Sequence, residues 1–308
     1  VPDSGCGSWL LEPQSTNLIT YSEDFSQWNA FNITAETNTA TNPRGTSGCY
    51  RVFKDNASNS NLFVSAASIG TTYTITLYVK SNNASKDNFQ LRIGDNRSSV
   101  FTATNEWQRF TYSATATSST FAFTLYSASG TVSSDVLIFG AQVEQQSYAT
   151  SYIPTNGATS TRLQDIATNS GNSTLINSTE GVLYAEIAAL TNGGSNRQIS
   201  ISDGTNSNVV ILRLDFSDTS ITSFIRGNGG SYTIETISSI TKTNNNKIAL
   251  VWNATNLRIW VNGVESGSAA VNDLPIGLDT LSFNEAGGGG SFYGKNKALA
   301  VYKEALTD

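Results

Sequence analysis

Leu257-Arg258-Ile259-Trp260-Val261-Asn262-Gly263-Val264 alternates apolar and polar residues and then breaks on Asn-Gly. Alternation of this kind buries one face of an extended strand. Asn-Gly suits a type I′ turn, whose two central residues both need positive φ. The stretch therefore predicts a β-hairpin centred on Asn262 and Gly263. Outward from it the same period-two or short apolar runs recur at 182–187, 198–202, 209–214, 220–225, 232–237, 247–252, 280–283 and 297–302. An earlier series lies at 73–79, 89–93, 121–125 and 136–139. Gly, Asn and Ser clusters separate the runs, no helical period intervenes and no exact short repeat is present, which predicts sandwiches or barrels and disfavours a propeller or solenoid.

Composition agrees. Of 308 residues, 38% are apolar and only 14% charged, with Thr, Ser and Asn filling the difference, a balance suited to strands and polar turns. The net charge of -6 is spread over single residues with no Lys/Arg run, which excludes phosphate-backbone binding as an expectation. No run approaches the roughly 18 apolar residues of a membrane helix, and no signal peptide opens the chain. The start at Val1, the lack of Met and the close on Ala305-Leu306-Thr307-Asp308 lead us to expect a fragment or processed product. Cys6 and Cys49 can pair in an oxidising compartment, and two unpaired thiols are the equal alternative. Sequons such as 32–34 and 253–255 arise by chance in a chain this rich in Asn, Ser and Thr.

Two stretches carry a resemblance. Leu11-Glu12-Pro13-Gln14-Ser15-Thr16-Asn17-Leu18 with Tyr21 to Trp28, and the closing Gly140-Ala-Gln142-Val-Glu144 with Tyr148-Ala-Thr-Ser-Tyr152-Ile-Pro154-Thr155, resemble the two ends of jelly-roll modules of phage fibre and head-spike proteins. The resemblance implies a carbohydrate-binding-module-like sandwich. The second half, through 247–252, the Trp260-Val-Asn262-Gly263 hairpin, Phe292-Tyr-Gly294, 299–302 and 306–308, resembles concanavalin A-like and laminin-G-like sandwiches. The expected fold is all-β, two antiparallel jelly-roll β-sandwich domains in tandem: a lead segment at 1–8, a first domain at 9–153, a polar linker at 154–179 and a second domain at 180–308. The function the resemblance implies is a non-catalytic, extracellular or virion-surface component that binds polysaccharide, as a homo-oligomer or with other virion proteins. A glycan-binding tandem of a secreted bacterial protein and a purely structural appendage subunit are the alternatives, with a glycosidase ranked last.

The residues bear on catalysis directly. With no His in the sequence, Ser-His and Cys-His pairs and His-based zinc sites are excluded. Carboxylates remain, and Glu180 and Glu186 form the best pair by even spacing, though solvent-facing strand positions explain them more simply. For sugar binding, an aromatic face with nearby amides or guanidinium is needed. Tyr78, out of phase with Ile75, Leu77 and Val79, is the surface candidate, whereas Trp28 and Trp107 read as core and Tyr50 stays a further aromatic candidate. Asn196 and Arg197 in a Gly-rich turn are the candidates in the second half. Asp203, Asp215 and Asp218 are hard oxygen donors, with plain hairpin turns as the simpler reading. Calcium is the cation to expect if there is one, and the resemblance points to Glu23, Asp24 and Glu144 for it. Gly287 to Gly290 reads as a loop that lets a glycan or another chain approach the backbone, or as plain flexible chain.

Overall fold

The computed structural model describes residues 7–54, 60–83, 87–126, 134–216, 219–228, 230–237, 240–271 and 273–306. Among them every sheet ladder is antiparallel, and the one helical element is a single 3-10 turn at Phe25–Gln27. The expected all-β class is the observed one. The hairpin at its centre is also observed: Val261 faces Val264 across the turn, with φ at 52° for Asn262 and 86° for Gly263.

Two compact units divide the chain, and they do not follow chain order. One is continuous, Gln14–Leu163; the other is discontinuous, Val1–Pro13 with Gln164–Asp308. These divisions differ from the expected boundaries at 9, 154 and 180. The reason lies in two three-residue strands too short to show any periodicity. Trp9–Leu11 pairs with the last strand of the chain, Leu11 opposite Gly294, and so leaves the first sandwich. Ser160–Arg162 pairs with Ser15–Asn17 and so draws the start of the expected linker into the continuous unit. Further along that stretch, Ile176 is buried in the core of the discontinuous unit.

In the continuous unit one sheet runs Gln108–Thr115, Thr72–Ser81, Ser134–Glu144, Ser47–Lys54, Thr34–Thr41. The other runs Phe101–Ala103, Asp87–Ile93, Thr120–Leu125, Asn61–Ser65, Asn29–Phe31, with Asn96–Arg97 paired beside Asp87–Ile93. Ile75, Leu77 and Val79 from the first and Phe89, Leu91 and Phe123 from the second meet in one core. The two ends of this unit are joined by buried amides and a buried carboxylate. Asn17 donates to the carbonyls of Ala141 (3.0 Å) and Ile153 (2.9 Å) and accepts from the amides of Ile19 and Val143, which fills its capacity. Gln142 accepts from the Ile153 amide at 2.6 Å. Glu144, fully buried, accepts from the hydroxyls of Ser15 and Thr150, the Gln146 amide group and the Thr150 backbone.

The discontinuous unit is a second sandwich. One sheet runs Trp9–Leu11, Gly294–Tyr302, Gly181–Ala189, Asn246–Trp252, Asn256–Val261, Val264–Ala270. The facing sheet runs Gly230–Ile237, Ser220–Gly227, Val209–Leu214, Arg197–Ser202, Thr280–Ser282. Leu183, Leu250, Trp252 and Ile259 from the first pack with Ile199, Leu212 and Ile225 from the second.

Two stability outcomes follow from these contacts. Deleting residues 1–13 uncovers the edge of Gly294–Tyr302, and calorimetry should show the transition of the discontinuous unit falling by several degrees, about 2–4 °C per kcal/mol at this size. An unchanged transition would remove Trp9–Leu11 from the account. Glu144→Gln replaces an all-acceptor group with one that brings N–H donors against existing donors. Urea denaturation should register a loss of about 2–3 kcal/mol in the continuous unit, and a loss near zero would mean the carboxylate is not the organising group.

Candidate functional site

The outer face of the sheet that contains the Asn262-Gly263 hairpin carries the site. Strand alternation sends Leu183, Ile248, Leu250 and Ile259 inward, so Val182, Tyr184, Lys247, Ala249, Val251 and Trp260 face outward. Register then arranges them in rows. Tyr184 lies opposite Ala249, and Ala249 lies opposite Trp260, so two aromatic residues flank an alanine across three adjacent strands. At the ordinary strand spacing their backbones stand about 9–10 Å apart. The methyl of Ala249 leaves the space between them open. The result is a shallow slot of ≈ 370 Å³ with Val182, Ala249 and Val251 as apolar lining, Lys247 and Gly263 beside them, and Leu306 also against it.

Among the described residues no hydrogen bond engages the indole N–H of Trp260 or the hydroxyl of Tyr184, in contrast to Trp28 and Trp107, which donate to the carbonyls of Tyr21 and Thr41. Burial pushes the Tyr184 phenol above its ordinary pKa, helped by the nearby charge of Glu186 and by Tyr302, so at neutral pH it is a protonated donor. Glu186, next on the same strand face, lies 3.4 Å from the Lys297 ammonium. An aromatic pair with free polar edges over an apolar lining can stack against the C–H faces of a sugar ring while its hydroxyls find donors at the rim.

The candidate residues read from sequence fall elsewhere. Tyr78 does face away from the main core, as its phase requires, but a secondary cluster of Cys49, Leu137, Phe139 and Tyr152 covers it. The Tyr152 ring meets it edge-on at 6.3 Å and the Arg109 guanidinium lies 5.7 Å from its centroid. Gly140, at φ 65° in the bulge of its strand, permits that packing, since a Cβ there would come within 3.1 Å of Tyr152. Trp28 is buried against Phe25, as expected of a core residue, and Trp107 is half-buried. Tyr50 is buried too, and its hydroxyl donates to Asp24 at 2.6 Å.

Asn196 and Arg197 act within the fold. Asn196 accepts from the Phe216 amide and Arg197 donates to the Gly193 carbonyl, each at 2.9 Å. Glu23, Asp24 and Glu144 are not gathered: among the described residues no three acidic side chains form a cation-sized group. Glu23 pairs with Arg44 at 3.1 Å and accepts from Tyr152. Asp24 caps the Phe25–Gln27 turn, and hydrogen bonds from Ser26 and then Tyr50 hold its carboxyl below the ordinary range. Glu144 is enclosed by the donors already described. Asp203 and Asp215 are likewise engaged, the first by Thr205 and Asn208, the second by Arg213 and Thr222. Asp218 lies outside the described residues, as does Cys6, one half of the expected disulfide. Cys49 is buried, and burial raises its thiol pKa. Glu180 accepts from the Ala305 amide and precedes the strand that holds Glu186. The Gly287 to Gly290 loop is packed: Gly290 accepts from the Gln198 amide, and Asn206 accepts from the Gly287 amide.

Tyr184 and Trp260 were not singled out from sequence as ligand contacts. The signal was present in their phase, since each is polar-edged, aromatic and opposite in parity to its strand's core residues. Only the pairing register, which spans distant segments, brings them into one row.

The laminin G-type profile of the concanavalin A-like lectin/glucanases superfamily matches residues 172–308, less than half of the chain. No curated protein matches the sequence. Similar solved structures include the CBM40 of the Ruminococcus gnavus IT-sialidase bound to α2,3 sialyllactose, at 15% identity over 46% of this chain and 90% of that one, TM-score 0.39. The SAP-like pentraxin of Limulus polyphemus is 18% identical over 46% and 70%, TM-score 0.37. The CBM22 tandem of Paenibacillus barcinonensis Xyn10C is 9% identical over 99% and 100%, TM-score 0.33. At these TM-scores the likenesses carry no weight for function.

Proposed function

We propose that the discontinuous unit is a lectin-like, non-catalytic module that holds a short stretch of polysaccharide in the slot between Tyr184 and Trp260. The observation that carries this reading is the aromatic, alanine, aromatic row set by the pairing of three strands. The slot volume of ≈ 370 Å³ suits one or two sugar units. The superfamily matched over residues 172–308 is named for lectins and glucanases, and the residues favour the first of these. A glycosidase needs two free carboxylates across a cleft. Here Glu186 is paired with Lys297 and Glu180 is bound to backbone.

The setting we propose is an extracellular appendage such as a phage fibre or spike, where several copies present the slot to surface polysaccharide and raise a weak single-site affinity by multivalency. The resemblance of the 11–28 and 140–155 stretches to phage fibre modules is what supports the setting. A second reading has one specific observation in its favour: Tyr302 and Leu306, 49% and 57% exposed, extend the apolar surface and would suit a purely structural subunit that seats another copy there.

A glycan array with wild type and Trp260→Ala, alongside the mass of each in solution, separates these readings. Wild type should bind a defined glycan set, and Trp260→Ala should bind it at least about tenfold more weakly with its mass and melting temperature unchanged. Absence of binding in wild type, with an oligomer that Trp260→Ala dissociates, would transfer the face to subunit contact.

A further inference from the structure

The slot carries a charge that neither its fold nor a neutral sugar requires. Among the described residues that line it, Lys247 alone is ionised, and it sits in the row next to Ala249 on the strand between the two aromatic residues. In register it lies opposite Glu186, yet the Glu186 carboxylate is held by Lys297 at 3.4 Å from the other side. No described carboxylate is paired with Lys247. Lys297 therefore takes the carboxylate at this end of the slot and leaves Lys247 as the charged group of the lining. Its backbone is fixed, because Asn262 at the hairpin turn accepts from the Lys247 amide at 2.9 Å and its own amide donates to the Lys247 carbonyl at 2.7 Å. The same turn places Gly263 at the slot, in open space.

We infer that the slot selects acidic saccharides, a sugar ring bearing a carboxylate or sulfate, with the acid group at Lys247 and the ring between Tyr184 and Trp260. The inference rests on the glycan-binding reading and adds the ligand class. A carboxylated or sulfated ring satisfies both halves of the site at once: its C–H faces meet aromatic side chains, and its anion meets Lys247, the charged residue among the described lining. A neutral glycan would leave Lys247 dependent on water, and a purely apolar partner would bury it without a counter-charge, which is costly.

The test is calorimetric titration with tetragalacturonate, a sulfated galactose tetrasaccharide and neutral maltotetraose against wild type, Lys247→Gln, Lys247→Arg and Trp260→Ala. Wild type should bind at least one acidic tetrasaccharide about three- to tenfold more tightly than the neutral one at low salt, with the gap closing as salt screens the exposed cation. The acidic ligand with the larger gap identifies which anion is read. Lys247→Gln should close the gap and Lys247→Arg should retain it. Equal wild-type binding of acidic and neutral chains, both lost in Trp260→Ala, would overturn the acidic preference and leave the glycan-binding reading standing. A gap that persists in Lys247→Gln would place the selectivity elsewhere, and no binding of any of the three would sink both.

Discussion

The two-residue turn at Asn262-Gly263 is the constraint on which the site depends. A type I′ turn admits one pairing, Val261 opposite Val264, and Asn262 also bonds back to Lys247 and Asn246 on the neighbouring strand. Together these fix the register of three strands. Register decides everything on the outer face: with Trp260 opposite Ala249, the indole stands across the alanine from Tyr184 while Ile259 fills the core. A slip of one residue would turn Trp260 inward and send Ile259 or Val261 to the surface. The cost of burying an indole where a branched aliphatic side chain fits keeps that alternative out of reach. Local turn chemistry thus sets the Trp260 wall and the position of the cation, while the pairing of Gly181–Ala189 with Asn246–Trp252 brings in Tyr184.

The continuous unit uses its polar residues to opposite effect. Asn17, Gln142 and Glu144 are buried and committed to backbone and hydroxyl partners that tie the start of the unit to its end. Satisfied networks of this kind are specific because each lost partner leaves a desolvated group behind. The stretches that resemble a fibre-module signature are the ones that build this network, so their residue types are explained by closure of the sandwich. In the same unit, aromatic residues outside the main core, Tyr78, Phe139 and Tyr152, pack on one another with Arg44 over two of the rings. Where the discontinuous unit leaves aromatic edges open, the continuous unit closes them.

Much of the fold was legible because apolar alternation is a local signal. The strands at Thr72–Ser81, Val209–Leu214 and Asn246–Trp252 lie where the periodicity put them, and the hairpin turn has the backbone its dipeptide requires. Strands such as Thr34–Thr41, with the sequence TAETNTAT, were not legible, since an edge strand with a polar outer face carries no apolar period. Nor was the discontinuous boundary, because Trp9–Leu11 finds its partner nearly three hundred residues away. The candidate site failed to emerge for the same reason. Tyr184 and Trp260 are unremarkable singly, and only pairing across separate segments makes them a pair. Acidic residues picked as cation ligands were chosen by chemistry without knowledge of their neighbours, and the neighbours proved to be hydrogen-bond donors.

The most direct test of the central claim is a proton–nitrogen correlation spectrum of the indole groups during titration with the best-bound oligosaccharide. The chain has five Trp residues, and among the described residues Trp260 is the Trp that lines the slot, with no described protein partner on its indole N–H. The account predicts that the Trp260 signal moves in proportion to occupancy while those of Trp28, Trp107 and Trp252 stay in place. Movement confined to Trp107, or binding that leaves every indole signal unmoved, would contradict the assignment of the slot as the place where this protein holds a glycan.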